Sequence, residues 1–212
     1  MHIITKKVRL IPAPFVGTRI KIAVDDPESL TWGMHNLTLA EGHERAIIDW
    51  GDGNRTELTE SGEARHTYDV AGEYVVCISD DISALRCSAA SSGSEFNAVF
   101  AKKIREFHTD ANNLASLNNY CFQSAVNLCV FRCEGSGLCA LRTRAFANCP
   151  SLSGRIDLPG VNDPAAYTFP DCPGITELQF SAANEAMIKA LPAWEASNHN
   201  FGATNAVCKF DL

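Results

Sequence analysis

The chain has 212 residues, 46% of them hydrophobic, and a formal net charge of −7, so it can bury one large core or two modest ones. The acidic balance makes a nucleic-acid backbone an unfavourable partner. No apolar run approaches the roughly 20 residues needed to cross a bilayer. The opening phrase "MHIITKKVRLIPAPF" lacks the apolar core of a cleaved secretion signal, so no such signal is predicted.

A composition shift predicts two domains. Acidic residues exceed basic ones mainly before residue 95, and the small-residue stretch "SAASSGSEF" at residues 88–96 falls at the same place. We therefore expect one domain at residues 1–90 and a second at residues 96–212. Residues 1–34 receive no role from the sequence.

Short β-rich runs recur in the first domain. "TRIKIAV" (18–24) alternates polar and apolar residues, "AIIDW" (46–50) is a short apolar run, and "EYVVCIS" (73–79) is rich in β-formers. Turn signals separate these runs. Many short strands with little helical periodicity predict a β-sandwich, and the chain as a whole is predicted to be mainly β with some α.

The segment after the second run predicts a tight turn. Asp52 and Gly53 form a strong hairpin signal, because glycine reaches positive φ without a Cβ clash. Trp50 suits the core, with an indole N–H that needs a partner. Tyr68 and Tyr74 can bury their rings while each hydroxyl reaches a backbone group.

Three phrases of this segment together resemble the PKD domain family. They are "WGDG" (50–53), "HTY" (66–68) and "GEYVV" (72–76), and that family shows a W-x-G-D-G-like turn, then H-T-Y and a G-x-Y-x-V strand. The resemblance covers about residues 35–87. It implies a PKD/Ig-like β-sandwich.

Calcium binding and catalysis are the alternatives for the same turn. Asp49, Asp52 and Asn54 do not keep the ligand register of an EF-hand loop. His66 near Asp69 has the composition of a general-base pair, but no nucleophile motif accompanies it. We expect His66 to be a structural histidine hydrogen-bonded near the turn.

The second domain carries a repeat. An aromatic residue is followed by a small residue, an aliphatic residue, an apolar residue and a last residue at offsets of three, six, nine and eleven. The aliphatic positions 104, 128, 152 and 175 are 24, 24 and 23 residues apart, and the last step to 207 is 32. The regular units are Phe122, Ala125, Leu128, Phe131 and Cys133; Phe169, Cys172, Ile175, Leu178 and Phe180; and Phe201, Thr204, Val207, Phe210 and Leu212.

Two further units are imperfect. Phe146, Cys149, Leu152, Ile156 and Leu158 fit with one inserted residue, and Ala98, Ala101, Ile104, Phe107 and Thr109 lack the aromatic. Periods of 20–29 residues are typical of leucine-rich-repeat solenoids, in which neighbouring coils stack and share one core. We therefore expect about five stacked coils.

The long last step predicts an insertion. It contains "SAANEAMIKALPAWEASN", in which Ala183, Met187, Ile188 and Leu191 share one helical face. We expect an inserted helix near residues 182–195 that covers the end of the solenoid or the neighbouring coil.

Two phrases resemble the BspA-like leucine-rich repeats of bacterial surface proteins. They are "AFANCPSLSGRIDLPG" (145–160) and "TFPDCPGITELQF" (168–180), and the family pattern is aF-x-x-C-x-x-L-x-x-I-x-[IL]-P. The resemblance covers roughly residues 98–212. Relatives of this type pair PKD-like and BspA-like modules in adhesins and in proteins encoded near phage tail genes.

Nine cysteines are scattered along the chain, an odd number without a CxxC pair, which argues against a complete disulfide framework. Cys129, Cys133 and Cys139 are too loosely spaced for a zinc site and have no paired histidines. We expect the cysteines to act as small buried hydrophobes, and we predict no metal and no cofactor.

The repeat also predicts a binding face. In a strand ending F-x-L, the middle residue points away from the core, as does the residue two earlier. If the strands stack in parallel, these positions form one mixed-charge surface. The middle column is His108, Arg132, Asp157, Gln179 and Asp211, and the earlier column is Glu106, Val130, Arg155, Glu177 and Lys209.

Three functions are then open. The leading hypothesis is a non-enzymatic binding or adhesion module of a bacterial surface or secreted protein, which holds a protein or glycan partner on this face. The alternative is a structural component of a phage particle, associated with its tail. A Cys-dependent hydrolase that pairs Cys129 or Cys133 with His108 is the third.

Overall fold

The structure of the protein is a computed structural model that describes residues 16–25, 30–87, 95–135 and 137–212. The fold is mainly β, with 41% strand and 10% helix. Seven strands come first. They are β1 (Gly17–Val24), β2 (Thr31–Leu39), β3 (Ala46–Asp49), β4 (Arg55–Leu58), β5 (Gly62–Thr67), β6 (Gly72–Ser79) and β7 (Ile82–Arg86).

The second half consists of short strands at regular spacing, with a few helical turns. Its helices are α1 (Glu95–Lys103), a 3₁₀ turn (Ala182–Asn184), α2 (Glu185–Lys189) and α3 (Pro192–Ala196). Its strands are β8 (Ile104–Thr109), β9 (Ser116–Leu117), β10 (Val130–Cys133), β11 (Ala140–Leu141), β12 (Gly154–Leu158), β13 (Asp163–Pro164), β14 (Ile175–Phe180) and β15 (Val207–Lys209).

These strands form three sheets. The first has the order β10-β8-β1-β6-β3-β4, the second β13-β11-β9-β7-β2-β5, and the third β12-β14-β15. Strands before α1 pair antiparallel with one another, whereas strands after α1 pair parallel with one another. The second half is therefore a β-solenoid-like stack of coils.

The two halves of the chain share their first two sheets. β1 pairs antiparallel with β6 on one side and with β8, the first strand of the coils, on the other. β7 pairs antiparallel with β2 and parallel with β9. Both sheets thus run from the antiparallel half into the coils, and their buried residues belong to one hydrophobic core.

The three predicted strands of the first half are confirmed as β1, β3 and β6. Four others, β2, β4, β5 and β7, were not predicted. In β4 and β5, exposed polar residues interrupt the apolar pattern. The core beneath them contains Trp32, Trp50 and Tyr68, all fully buried. The Trp32 indole N–H donates to the carbonyl oxygen of Phe100 over 3.1 Å, which ties α1 to this core.

Phenylalanines stack from coil to coil, as the repeat predicts. The ring centroids of Phe122 and Phe146 lie 5.1 Å apart, and those of Phe146 and Phe169 lie 4.9 Å apart. Phe107 lies 5.0 Å from Phe122 and extends the column, although it comes from the apolar position of the first unit and not from the aromatic one. All four rings are fully buried. Like side chains therefore fill like positions in successive coils, which is how units too small to bury their own apolar face become stable.

At the small-residue position of the repeat, two cysteine thiols each donate a hydrogen bond to a backbone carbonyl. The Cys149 thiol donates to the carbonyl oxygen of Phe122 over 3.1 Å, and the Cys172 thiol donates to that of Phe146 over 2.8 Å. Each cysteine thus contacts the backbone of the coil before it. Both are buried, as predicted, but Cys129 is exposed, so the prediction of buried cysteines is wrong there. All nine cysteines are free thiols.

The corners between strands repeat with the coils. Ser124, Asn148 and Asp171 adopt the left-handed conformation, with φ of 62°, 57° and 60°. Asparagine and aspartate tolerate this conformation better than other side chains do, because they can hydrogen-bond locally. Backbone bonds across the corners, such as Ser124 N–H to the Ala147 carbonyl over 2.8 Å, join each coil to the next.

The predicted insertion is helical but broken. The chain forms a 3₁₀ turn and two five-residue helices, because Pro192 has no N–H and begins α3. The predicted common face is wrong, since Met187 is 54% exposed while Ile188 is fully buried. Trp194 supplies the apolar contact instead, with its ring centroid 5.8 Å from that of Phe210.

The last coil departs from the predicted register by two residues. Val207 pairs with Glu177, and Cys208 pairs with Leu178, so the cysteine occupies the position expected for Phe210. Val207 is consequently 61% exposed rather than buried. Phe201 is fully buried, but Thr204 and Leu212 are exposed, which makes the core prediction for these two positions wrong. The helices before β15 change the length of this coil, and that change moves its register.

Part of the sequence-based scheme lies outside the described residues. The boundary stretch at 88–96 is described only from residue 95, where α1 begins, and residues 1–15 are not described. The division at residues 90–96 stays a prediction. The PKD-like and leucine-rich-repeat assignments stay predictions as well.

Replacement of Phe146 with alanine tests the phenylalanine column. The variant leaves a cavity between two buried rings, so we expect the free energy of unfolding to fall by about 3–5 kcal/mol. Chemical denaturation measures this loss. The matched control is Tyr167→Ala, because Tyr167 is 54% exposed, and its change should stay within about 0.5 kcal/mol. A loss below about 1 kcal/mol in Phe146→Ala would contradict the stack.

Candidate binding face

The outer face of the coils brings most of the predicted columns together. In the first two coils Glu106 lies beside Val130, and His108 lies beside Arg132. In the next two Arg155 lies beside Glu177, and Asp157 beside Gln179. Alternation along each strand directs these side chains away from the core. We name this surface, on β8, β10, β12, β14 and β15, the coil face.

Charged side chains of β12, β14 and β15 on the coil face form a connected set of ion pairs. Arg155 bonds to Asp157 and lies 3.7 Å from Glu177, whose other carboxylate oxygen lies 2.6 Å from the Lys209 ammonium. The pKa of Arg155 is raised, chiefly by its hydrogen bond to Asp157, and the pKa of Lys209 is raised chiefly by its hydrogen bond to Glu177. Asp211 adds to both shifts through its negative charge. The charged side chains of this region therefore mainly form ion pairs with one another.

The register shift of the last coil changes the two columns there. Lys209 lies beside Gln179 in the sheet, not beside Glu177, although its long side chain still reaches Glu177. Asp211 follows the end of β15 and is exposed. Gln179 is only 1% exposed, and its side-chain oxygen has no hydrogen-bond partner among the described residues. It therefore lies on the predicted column but beneath its neighbours.

The coil face extends onto the antiparallel half, which sequence reasoning missed. Because β1 pairs with β8, the ammonium of Lys21 lies 3.4 Å from Glu106 and 3.6 Å from Glu73 of β6. The pKa of Lys21 is raised, chiefly by the hydrogen bond to Glu106. Arg19 pairs with Asp110 over 2.9 Å. The polar positions of "TRIKIAV" were visible in the sequence, but their neighbour across the sheet was not.

Between β10 and β12 the face opens into a cleft. These strands belong to successive coils, yet no ladder joins them among the described residues. The cleft has a volume of about 430 Å³. We name it the β10–β12 slot. Its lining residues are Cys129, Val130, Phe131, Arg132, Cys133, Glu134, Ser153, Arg155, Ile156 and Asp157.

One inserted residue distinguishes the third unit, whose strand β12 lines the slot. Gly154 adopts a φ of +76°, a conformation that favours glycine, and the register of β12 against β14 shifts between Gly154 and Arg155. The Gly154 N–H donates to the Gly174 carbonyl over 2.8 Å, which joins this end of β12 to the next coil. On the opposite side of the coils, β9, β11 and β13 pair without interruption.

Arg132 differs in its ion pairing from the other charged residues that line the slot. Its side chain is exposed, and no acid within the described parts of the chain pairs with it. By contrast, His108 beside it in the sheet lies 3.1 Å from the carboxylate of Glu134, and Arg155 across the slot has two acidic neighbours. An exposed guanidinium without an internal partner is available to a ligand.

The acidic turn of the first half is a hydrogen-bonded structural element. The His66 Nε2 atom lies 2.6 Å from an Asp52 carboxylate oxygen, and its ring stacks on Trp50 with centroids 5.3 Å apart. The Trp50 indole N–H donates to the Thr56 hydroxyl over 2.8 Å. Tyr68 donates its hydroxyl to the Trp50 carbonyl over 3.1 Å. The predicted hydrogen bonds of Trp50, His66 and Tyr68 are confirmed.

Neither proposed thiol nucleophile bonds to His108. The exposed Cys129 thiol donates to the Arg105 carbonyl, whereas Cys133 is buried and contacts the Gly135 carbonyl. Burial, with a further contribution from Glu134, raises the pKa of Cys133 to about 12. Across residues 16–25, 30–87, 95–135 and 137–212, no three histidine, cysteine or acidic side chains are grouped so that they could hold a metal ion.

Comparison with known proteins adds no relative. No protein-family model, no curated protein and no solved structure matches the chain. Among the described residues, no helix has the length and apolar character that crossing a bilayer requires.

The Asp52–His66 pair should give the protein a measurable acid response. Burial opposes ionisation of Asp52, but hydrogen bonds from the Asn54 backbone, His66 and the Asn54 side chain together lower its pKa below the ordinary 3.8. A carboxylate with a lowered folded pKa contributes stability above its unfolded pKa and loses it as pH falls through the folded value. We therefore expect Asp52→Asn to lose less stability than wild type between about pH 5 and about pH 2.

Denaturation midpoints across that range measure the effect. Asn54→Ala removes one of the bonds to Asp52, a side-chain bond of 3.0 Å, and should give an intermediate profile. Identical pH profiles for wild type and Asp52→Asn would contradict the role of this pair.

Proposed function

We propose that this protein is a non-enzymatic binding module that holds a protein or glycan partner on the coil face. The observation that carries the proposal is the coil face itself, a mixed-charge surface built on five parallel strands and containing the β10–β12 slot. Solenoids use extended surfaces of this kind for partners, because stacked coils place side chains at fixed intervals over a long distance.

The proposal includes the module types. The hydrogen-bonded turn around Trp50 and His66 supports a PKD-like β-sandwich, and the phenylalanine column supports BspA-like leucine-rich repeats. Modules of these types are used for display, so we propose a bacterial cell surface, a secreted protein or a virion as the location. The charge pairs around Arg155 and Lys209 support a preformed surface, since they hold long side chains in one arrangement before a partner arrives.

Charge reversal on the coil face tests the binding function. Screens of the wild-type protein on glycan and protein arrays identify a partner, and Arg132→Glu should weaken it by about tenfold or more, since exposed arginines are frequent anchors of interfaces. The matched control is Arg142→Glu. Arg142 is also exposed, but it follows β11 on the second sheet and pairs with Asp163.

Affinity measured by calorimetry separates the two variants. Equal binding by wild type and Arg132→Glu, or equal losses in both variants, would place the partner elsewhere. No partner on either array would overturn the proposal.

A structural component of a phage particle is the second candidate, and the free edge of β15 favours it. β15 pairs with β14 only, and no other described strand covers its second edge. Val207 on this strand is 61% exposed, and Leu212 nearby is 40% exposed. An open strand edge with apolar side chains is a site for pairing with another subunit.

Self-association tests this second candidate. Light scattering should show mass rising with concentration for the wild type, whereas Val207→Lys should stay monomeric because a lysine on an edge strand blocks pairing. Tyr167→Lys, at another exposed apolar position, serves as the control and should associate as the wild type does. A wild type that is monomeric at every concentration would contradict assembly through β15.

A further inference from the structure

We infer that Arg86 anchors a binding site for a small carboxylate on the second sheet. The site goes beyond the proposed function, because the coil face belongs to the first and third sheets whereas Arg86 lies on β7 of the second. Three observations carry the inference. They are the burial of Arg86, the lack of a partner for its guanidinium among the described residues, and the hydrogen bonds that hold the neighbouring acid elsewhere.

Arg86 is a buried cation whose charge has no partner in the described part of the chain. It is 7% exposed, as is Lys103. The Lys103 ammonium donates to the Thr31 carbonyl over 2.9 Å, whereas Arg86 forms no hydrogen bond and no ion pair with a described residue. Buried charges in folded proteins are normally paired, because removing a charge from water is costly unless another group compensates it. A bound ion is a standard explanation for such an exception.

The outer edge of the Arg86 guanidinium reaches the surface. Its Nε atom is buried and has no hydrogen-bond partner, but its two Nη atoms are not among the buried unpaired atoms of the described residues. Since these two atoms form no hydrogen bond either, they keep contact with solvent. Their N–H groups can bind both oxygens of one carboxylate. A ligand therefore needs to reach only this edge, while the buried stem holds the guanidinium in place.

The position of Arg86 distinguishes it from Arg132 on the coil face. Arg132 is exposed, so water solvates its charge. Burial lowers the pKa of Arg86, and the charges of Cys121 and Glu63 offset that shift only in part. Arginine still stays protonated in proteins, so the unfavourable charge remains. An anion at the Nη edge would stabilise it.

Glu63 is the acid beside Arg86, and it is already bonded to other groups. One carboxylate oxygen lies 2.7 Å from the Nδ1 atom of His35, and the other accepts from Arg65 over 2.7 Å. His35 lies directly opposite Arg86 in the ladder between β2 and β7, and β2 lies between β7 and β5 in the sheet. The imidazole of β2 thus stands between the acid of β5 and the guanidinium of β7.

The local charges predict a ligand with one negative charge. Glu63 offsets Arg65, so Arg86 leaves one uncompensated positive charge in this group of side chains. A dianion would exceed that charge close to the Glu63 carboxylate, on a chain whose formal charge is −7. A carboxylate carries a single charge, and its two oxygens match the two Nη donors.

Titration of the full chain with sodium acetate at pH 8 and constant ionic strength tests the site. The Nε–H group of Arg86 has its own signal in nitrogen–proton correlation spectra, and acetate at the Nη edge should shift this signal until the site saturates. Chloride, and phosphate as its dianion, should bind at least about tenfold more weakly.

Variants of two arginines separate this site from general salt effects. Arg86→Gln should abolish the saturable shifts, followed at the backbone amides of residues 85–87. The matched control is Arg19→Gln, because Arg19 lies on the first sheet and its guanidinium pairs with Asp110 over 2.9 Å. This control should bind acetate as the wild type does.

Urea denaturation provides a second readout. A ligand that binds only the folded chain raises the denaturation midpoint, so exchange of chloride for acetate should raise that of the wild type more than that of Arg86→Met. The general effect of acetate on stability acts on both proteins alike. Without acetate, Arg86→Met should be at least as stable as the wild type, because methionine removes the uncompensated buried charge.

Four results would overturn the inference. The first two are acetate shifts that are absent or do not saturate, and equal acetate responses in wild type and Arg86→Gln. The third is a lower midpoint of Arg86→Met in buffer without acetate, which would show that a partner within the chain stabilises the guanidinium. The fourth is phosphate binding as tight as acetate binding, which would reject the assigned ligand class.

Discussion

The pairing of β1 with β8, and of β7 with β9, gives the stack of coils its first neighbour. A coil of about 24 residues cannot bury its apolar face alone, so the first coil of a stack needs something to rest on. Here the two sheets of the antiparallel half supply it, and the core continues from Trp32 and Trp50 to the phenylalanine column without a break. The same pairings place Lys21 and Arg19 beside Glu106 and His108, which lengthens the coil face.

The stack of coils could be predicted from the sequence, because the contact that stabilises it recurs at a nearly fixed interval along the chain. A ring in each coil must meet the ring of the next, so Phe122, Phe146 and Phe169 recur at nearly constant spacing, and the small slot beside them admits only a small side chain such as Cys149. The joining of the two halves is different in kind. It depends on the pairing of β1 with β8 and of β7 with β9. Pairing between the edges of two strands produces no repeated pattern in the sequence.

Where the sequence misled, a local feature changed the register. Pro192 divides the inserted helix, and the altered length of that segment moves β15 by two residues, which exposes Val207 and brings Cys208 against Leu178. On the coil face, strand alternation was enough to place Arg132 and its neighbours. It could not show that Gln179 is buried, because burial of an outward residue depends on the length and direction of the side chains around it. The extra residue at Gly154 was visible as an irregularity, but its effect on the ladder required the neighbouring strand.

The left-handed corners at Ser124, Asn148 and Asp171 have a consequence for how such a molecule can change in evolution. Each corner closes one coil with the same backbone geometry, and in stacked-repeat architectures each repeat contacts only its neighbours. Duplication of a single coil would raise the height of the molecule by one strand spacing, about 4.8 Å, and leave every other corner as it was. The antiparallel half fixes where the stack of coils begins. The number of coils, and with it the height of the stack, can change by gain or loss of whole units.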